Sequence, residues 1–222
     1  MRSGPNTLLL FLAAMSVTRF SDTLAVQSVT ETPNIMIVSE GLLPAYTLLI
    51  QQSAIFRAAV DELNQTGFEV VIGYHDDFEP SYRLPVLGGL AQVKPLFHDN
   101  NRLYGVHIVF YTRDMEASAR AAGITIKTIT RELAIILAHE LYGHVVPAAR
   151  VRMYPSPCAD PAWEMASQEK GCAVERENQI RNEIGFGERP RYGFVDLSFF
   201  CVSNEGACRA AAPHRVSSGQ QR

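Results

Sequence analysis

"LAIILAHELYGHVVP", Leu133 to Pro147, sets His139 and Glu140 side by side on an apolar run and brings a second histidine at His144. A helix that grips one ion with two histidines normally spaces them four residues apart, and here that position is Gly143. Residues on an α-helix step by about 100°, so side chains five apart diverge by about 140° and cannot share an ion. A π-turn, which closes from residue i to i+5, restores the alignment, and such turns gather at functional sites. Gly143 is the residue expected to tolerate the distorted backbone. The stretch therefore predicts a π-bulged helix that presents His139 and His144 as metal ligands, with Glu140 beside them as a base. Thr130 is expected to cap this helix and Pro147 to end it.

A zinc ion held for chemistry takes three protein ligands and keeps a fourth position for water. A second helix is expected from Pro161 to Glu183, capped by Asp160, and its pattern ranks the candidates for the third ligand. Stepping about 100° per residue, Ala173, Ile180 and Ile184 share one stripe and Glu177 falls on it, whereas Glu175 faces away and Glu169 lies at the margin. A carboxylate on an apolar face is costly unless it is paired or coordinated, so Glu177 is the expected third ligand. The alternatives are Glu175 and Glu169, and Glu177 can instead pair with Arg181 one turn on. With zinc on His139, His144 and Glu177, the open position would hold a water whose pKa falls toward about 7. Glu140 would then take its proton. Tyr192 and Tyr142 are candidates to donate to the oxyanion that follows.

Elsewhere the chain reads as strands first and helices later, the order of an α+β fold with a small, mostly antiparallel sheet. "NIMIV" (Asn34–Val38) and "FEVVIGY" (Phe68–Tyr74) are short strands, and "LAQVKPLF" and "LYGVHIVFYT" flank the turn composition "HDNN" as a hairpin. A helix with apolar spacing runs from Ser53 to Gln65 and stops at Gly67. Residues 75 to 95, rich in proline and glycine, read as a long irregular connection. His75 with Asp76 and Asp77 offers the donors of another metal cluster but reads rather as a solvated loop, and His107 as a structural strand residue.

With 47% hydrophobic and 19% charged residues the composition is globular, and a formal charge of −3 without a basic block leaves no electrostatic footprint for nucleic acid or an anionic membrane. Residues 1–25, with the apolar run "LLLFLAAMSV" behind Arg2, read as a secretory signal peptide, so the mature chain is expected to be secreted or periplasmic and free of the membrane. Residues 26–208 make the single domain, and 209–222 a disordered tail. Behind an export signal, four cysteines favour disulfides, with Cys158–Cys172 and Cys201–Cys208 the pairing of lowest contact order.

Two resemblances bear on this reading. "HELYGH" is similar to the HExxGH signature of the dipeptidyl peptidase III family, in which both histidines bind zinc despite the extra residue. That family's longer, two-lobed chain and its EExxAE element have no counterpart here, so only the geometric precedent carries over. From Thr130 to Tyr192 the chain also resembles bacterial effector and polymorphic-toxin metallopeptidases. In these small zincin domains a HELxH-like helix is followed by one of AVxxEN type, here "AVERENQIRNEIGFGERPRY". The resemblance implies a zinc-dependent peptidase acting on a protein or peptide. The alternatives are a zinc hydrolase of a non-peptide amide or ester, and an inactive secreted binding domain.

Overall fold

The structure, a computed structural model, describes residues 34–79, 90–156, 158 and 171–190. The expected signal peptide, the 209–222 tail, Tyr192, Glu169, Cys201 and Cys208 lie outside the described residues.

Strand β1 (Ile35–Ile37) is followed by α1 (Leu43–Gln52) and α2 (Ala54–Thr66), and then by β2 (Glu69–Tyr74). Ser53 separates the two helices: its backbone is extended, and its hydroxyl accepts from the Phe56 amide at the first turn of α2. Gly67 ends α2 in the left-handed region at φ 63°, where a glycine carries no Cβ penalty. The helical crossover returns the chain to the same end of the sheet, so β2 runs parallel to β1.

Strands β3 (Ala91–Phe97) and β4 (Leu103–Phe110) form the expected hairpin around His98–Arg102, and β4 joins β2 in parallel. The sheet order is β1-β2-β4-β3. The expectation of a mostly antiparallel sheet is corrected: the sheet is mixed, because β4 follows a crossover from β2 and only the β3–β4 hairpin is antiparallel. The irregular connection expected over 75–95 is also shorter, since β3 takes its last residues.

One face of the sheet carries Val70, Ile72 and Tyr74 of β2 opposite Val106, Ile108 and Phe110 of β4, all buried beneath the helices. Those helices are α1, α2, α3 (Arg113–Ala121), α4 (Ile126–Ala138), α5 (Val146–Val151) and α6 (Cys172–Glu183). The result is an α+β fold with helices against the sheet. On the other face His107 stacks on Phe78 with ring centroids 4.9 Å apart, the structural role expected of it. At the carboxyl ends of the strands, the buried Glu116 of α3 accepts from Tyr74 (2.7 Å) and Thr112 (2.6 Å). Burial holds the Glu116 carboxyl above its usual range, against the opposing pull of those two hydrogen bonds.

Helix α4 begins at Ile126 with Thr125, not Thr130, as its cap, because the Thr125 hydroxyl accepts from the Thr128 amide. Helix α6 begins at Cys172 after an extended Gly171, so the long second helix expected from Pro161 is not continuous through Gly171. Cys158 and Cys172 are bonded, as the low-contact-order pairing anticipates. Among the described residues no helix is long and apolar enough to cross a membrane.

Candidate functional site

Between α4 and α5 the helix is a π-helix over the seven residues His139–Val145, the segment where the sequence places the extra residue. Its backbone closes five residues back: the Val146 amide donates to the Leu141 carbonyl. The wider turn brings the two imidazoles together, with His139 Nε2 and His144 Nε2 3.2 Å apart and the ring planes nearly perpendicular at 81°. Glu140 is buried beside them.

Each ring is held at its other nitrogen. His139 Nδ1 donates to Glu177 Oε2 at 2.9 Å, which keeps a proton on Nδ1 and turns Nε2 toward His144. The His144 ring has a hydrogen bond to the Cys158 backbone, and with Nε2 turned to His139, Nδ1 is the nitrogen left for it. Burial and the charge of His139 push the His144 imidazole down to about 3. For His139 burial works the same way, but the Glu177 hydrogen bond and charge outweigh it and raise its basicity. Two Nε2 atoms on tetrahedral zinc, at about 2.0–2.1 Å each, stand about 3.3 Å apart. The 3.2 Å separation of the two nitrogens is close to that spacing.

Glu177 lies on the buried stripe of α6 with Ala173, Ile180 and Ile184, and Glu175 is exposed, as the helical angles require. Its contacts are not those of the expected third ligand, which would stand beside the Nε2 atoms. Glu177 faces the Nδ1 edge of His139, away from the Nε2 pair, and its two oxygens are taken by His139, by Arg181 Nη1 (3.0 Å) and by Arg189 Nη1 (2.9 Å). The pairing with Arg181 foreseen from the sequence is therefore present. Burial opposes the Glu177 charge, but the His139 hydrogen bond and the charges of His139, Arg189 and Arg181 hold its carboxyl down at about 2. Asn178 clamps Arg189 from the next residue, donating to its carbonyl (2.8 Å) and accepting from its amide (2.7 Å).

Gly143 does not take a left-handed conformation. What it supplies is space: a Cβ there would stand 3.0 Å from Ala173 Cβ and 3.2 Å from its Cα, so the absence of a side chain lets α6 lie against the π-turn. The Tyr142 hydroxyl, a candidate oxyanion donor from the sequence, donates to Gln179 at 3.1 Å. Pro147 does not end the helix either, since it sits within the first two positions of α5 and the chain stays helical to Val151.

Sequence reading missed Arg189, the Cys158 backbone and Tyr154. The Tyr154 phenol donates to the Val93 carbonyl of β3 at 2.9 Å, and burial together with the charge of Glu140 raises its pKa. None of the three carries a periodic signal. His75, Asp76 and Asp77 form a short 3₁₀ turn in which Asp77 pairs with Ser39 and Arg113. Among the described residues no group of three His, Cys, Asp or Glu is arranged to hold an ion, at this turn or around His139. No protein-family model, curated protein or solved structure matches the chain.

Proposed function

We propose that the chain is a zinc-dependent hydrolase, a metallopeptidase acting on a protein or peptide, with His139 and His144 holding the ion through Nε2. The observation that supports this most is the convergence of those two atoms to 3.2 Å on a π-turn that costs the helix its regular ladder. The bound ion would supply a Lewis acid and lower the pKa of water toward about 7.

The remaining work falls to the chain. Glu140, adjacent to the first histidine and buried, is the base that accepts the proton as a carbonyl is attacked and returns it to the leaving amine. Glu177 orients His139 and keeps its proton on Nδ1, while the Cys158 backbone does the same for His144. Tyr192 remains the sequence's candidate for the oxyanion, and Tyr154, whose pKa the charge of Glu140 helps to raise, is a second phenol to test. Glu169 is the variant to test for the third ligand, because Glu177 is committed to His139 Nδ1 and two arginines.

Zinc titration of the chain with an optical competitor, followed by cleavage of a denatured protein substrate, tests the proposal. One zinc per chain in the wild type, its loss in His144→Ala, and cleavage that disappears in Glu140→Gln while zinc stays bound are the expected results. No zinc in the wild type overturns the proposal. Zinc with hydrolysis only of small esters or amides supports the non-peptide alternative, and zinc with no hydrolysis the binding-domain one. Export belongs to the same proposal, and the intact mass of exported material shows whether residues 1–25 are removed.

A further inference from the structure

Resting on that reading of the site, we propose that Arg176 is a positioning residue that holds the five-residue turn between His139 and His144. Its task begins with a backbone group that Pro147 deprives of its partner. Within the π-segment amides donate five residues back, and at its end such a bond runs from Val146 to the Leu141 carbonyl. The next carbonyl, that of Tyr142, would need the amide hydrogen of residue 147, and proline has none. Arg176 reaches across from α6 and donates to this carbonyl through Nε at 2.6 Å. Its guanidinium lies 3.8 Å over the Tyr142 ring, so the same residue is gripped at backbone and side chain.

Arg176 is an expensive group to place there. Burial lowers its pKa, and its Nη2 is buried without a hydrogen-bond partner among the described residues. Its placement is accounted for by the turn. A right-handed helix relaxing from five-residue to four-residue closure would rotate His144 by about 100° relative to His139 and separate the two Nε2 atoms. Satisfying the Tyr142 carbonyl from outside the helix stabilises the five-residue closure. Gly143 allows the close approach of α6 that brings Arg176 within reach.

The pairing of Pro147 with Arg176 makes the idea testable by rescue. Pro147→Ala restores an amide hydrogen five residues beyond Tyr142, so a chain carrying that substitution no longer needs Arg176 for that carbonyl. Four proteins are compared: wild type, Arg176→Met, Pro147→Ala and the double variant, each read by zinc titration, by the visible spectrum of its Co(II) form and by thermal denaturation. Arg176→Met is expected to lower zinc affinity about tenfold or more, and to change the Co(II) spectrum. The double variant should recover most of both. Unchanged affinity in Arg176→Met, or the same loss in the Pro147→Ala background, overturns the proposal. If Arg176→Met fails to fold, a folded double variant still supports it, and two unfolded chains overturn it. If the wild type binds no zinc, the metal reading fails by itself. The positioning claim is then judged by whether Pro147→Ala at least halves the Tm loss caused by Arg176→Met, and additive losses refute it.

Discussion

Glu177→Gln separates an orienting carboxylate from a metal ligand, and the contacts around Glu177 give the size of the effect. The side chain keeps its shape but loses its charge, in a position with no exposed surface. Three charged or polarised donors converge on it: His139 Nδ1 and Arg189 Nη1 on one oxygen, Arg181 Nη1 on the other. An amide offers one oxygen, so its NH2 group must face at least one guanidinium or the imidazole N–H. Hydrogen bonds to a charged group contribute about 1.5–3 kcal/mol each, and removing one partner of a buried ion pair costs about 3–5 kcal/mol. The variant should therefore lose about 3–5 kcal/mol of stability, a Tm drop on the order of 10 °C for a chain of this size. Zinc should still bind, about 10- to 100-fold more weakly, because His139 keeps its Nε2 but loses the group that aims it. Calorimetric zinc titration and differential scanning calorimetry on the same preparations measure both. Zinc binding abolished with little change in Tm would identify Glu177 as a direct ligand, and no change in either would refute the orienting role.

Four further outcomes are expected. Glu140→Gln should retain zinc within a few-fold and lose hydrolysis by about two to four orders of magnitude, measured as kcat on whichever substrate the wild type cleaves. Gly143→Ala should cost about 1–3 kcal/mol through its approach to Ala173, and urea denaturation should show part of that recovered with Ala173→Gly. Reducing Cys158–Cys172, which are 14 residues apart, should cost about 3 kcal/mol, and should weaken zinc binding, since one half-cystine carries the His144 backbone partner and the other starts α6; Tm and zinc titration with and without a dithiol read both. Glu116 has a folded pKa raised by burial, so the native state holds more protons than the unfolded chain above pH 4.5, and the group's contribution to stability is lost as pH rises through the folded value. Urea midpoints of Glu116→Gln minus wild type should accordingly increase from pH 4.5 toward neutrality, and a flat difference contradicts the assignment.

What could be read from the residues is what depends on the helix period alone. The spacing of His139 and His144 puts them on different faces of a regular helix, and on the reading that they share an ion the π-turn is expected without any tertiary information. The burial of Glu177 follows from the same arithmetic, because a helical angle decides which side of α6 a residue occupies. The angle does not decide which edge of an imidazole the carboxylate meets, since that depends on how α6 is shifted along the π-segment. That shift is set by the gap at Gly143, where Ala173 packs, and by the Arg176 bond to Tyr142. Gly143 was therefore legible as a necessary residue but not for its reason, which is contact between helices rather than backbone freedom. Arg189 was illegible on the same grounds: it lies beyond the end of α6 and reaches Glu177 because Asn178 folds the chain back onto the helix. Pro147 shows the limit most sharply. Proline stops an isolated helix because a carbonyl loses its donor, and here a donor comes from another helix, so a rule derived from local hydrogen bonding fails where tertiary structure supplies the missing bond.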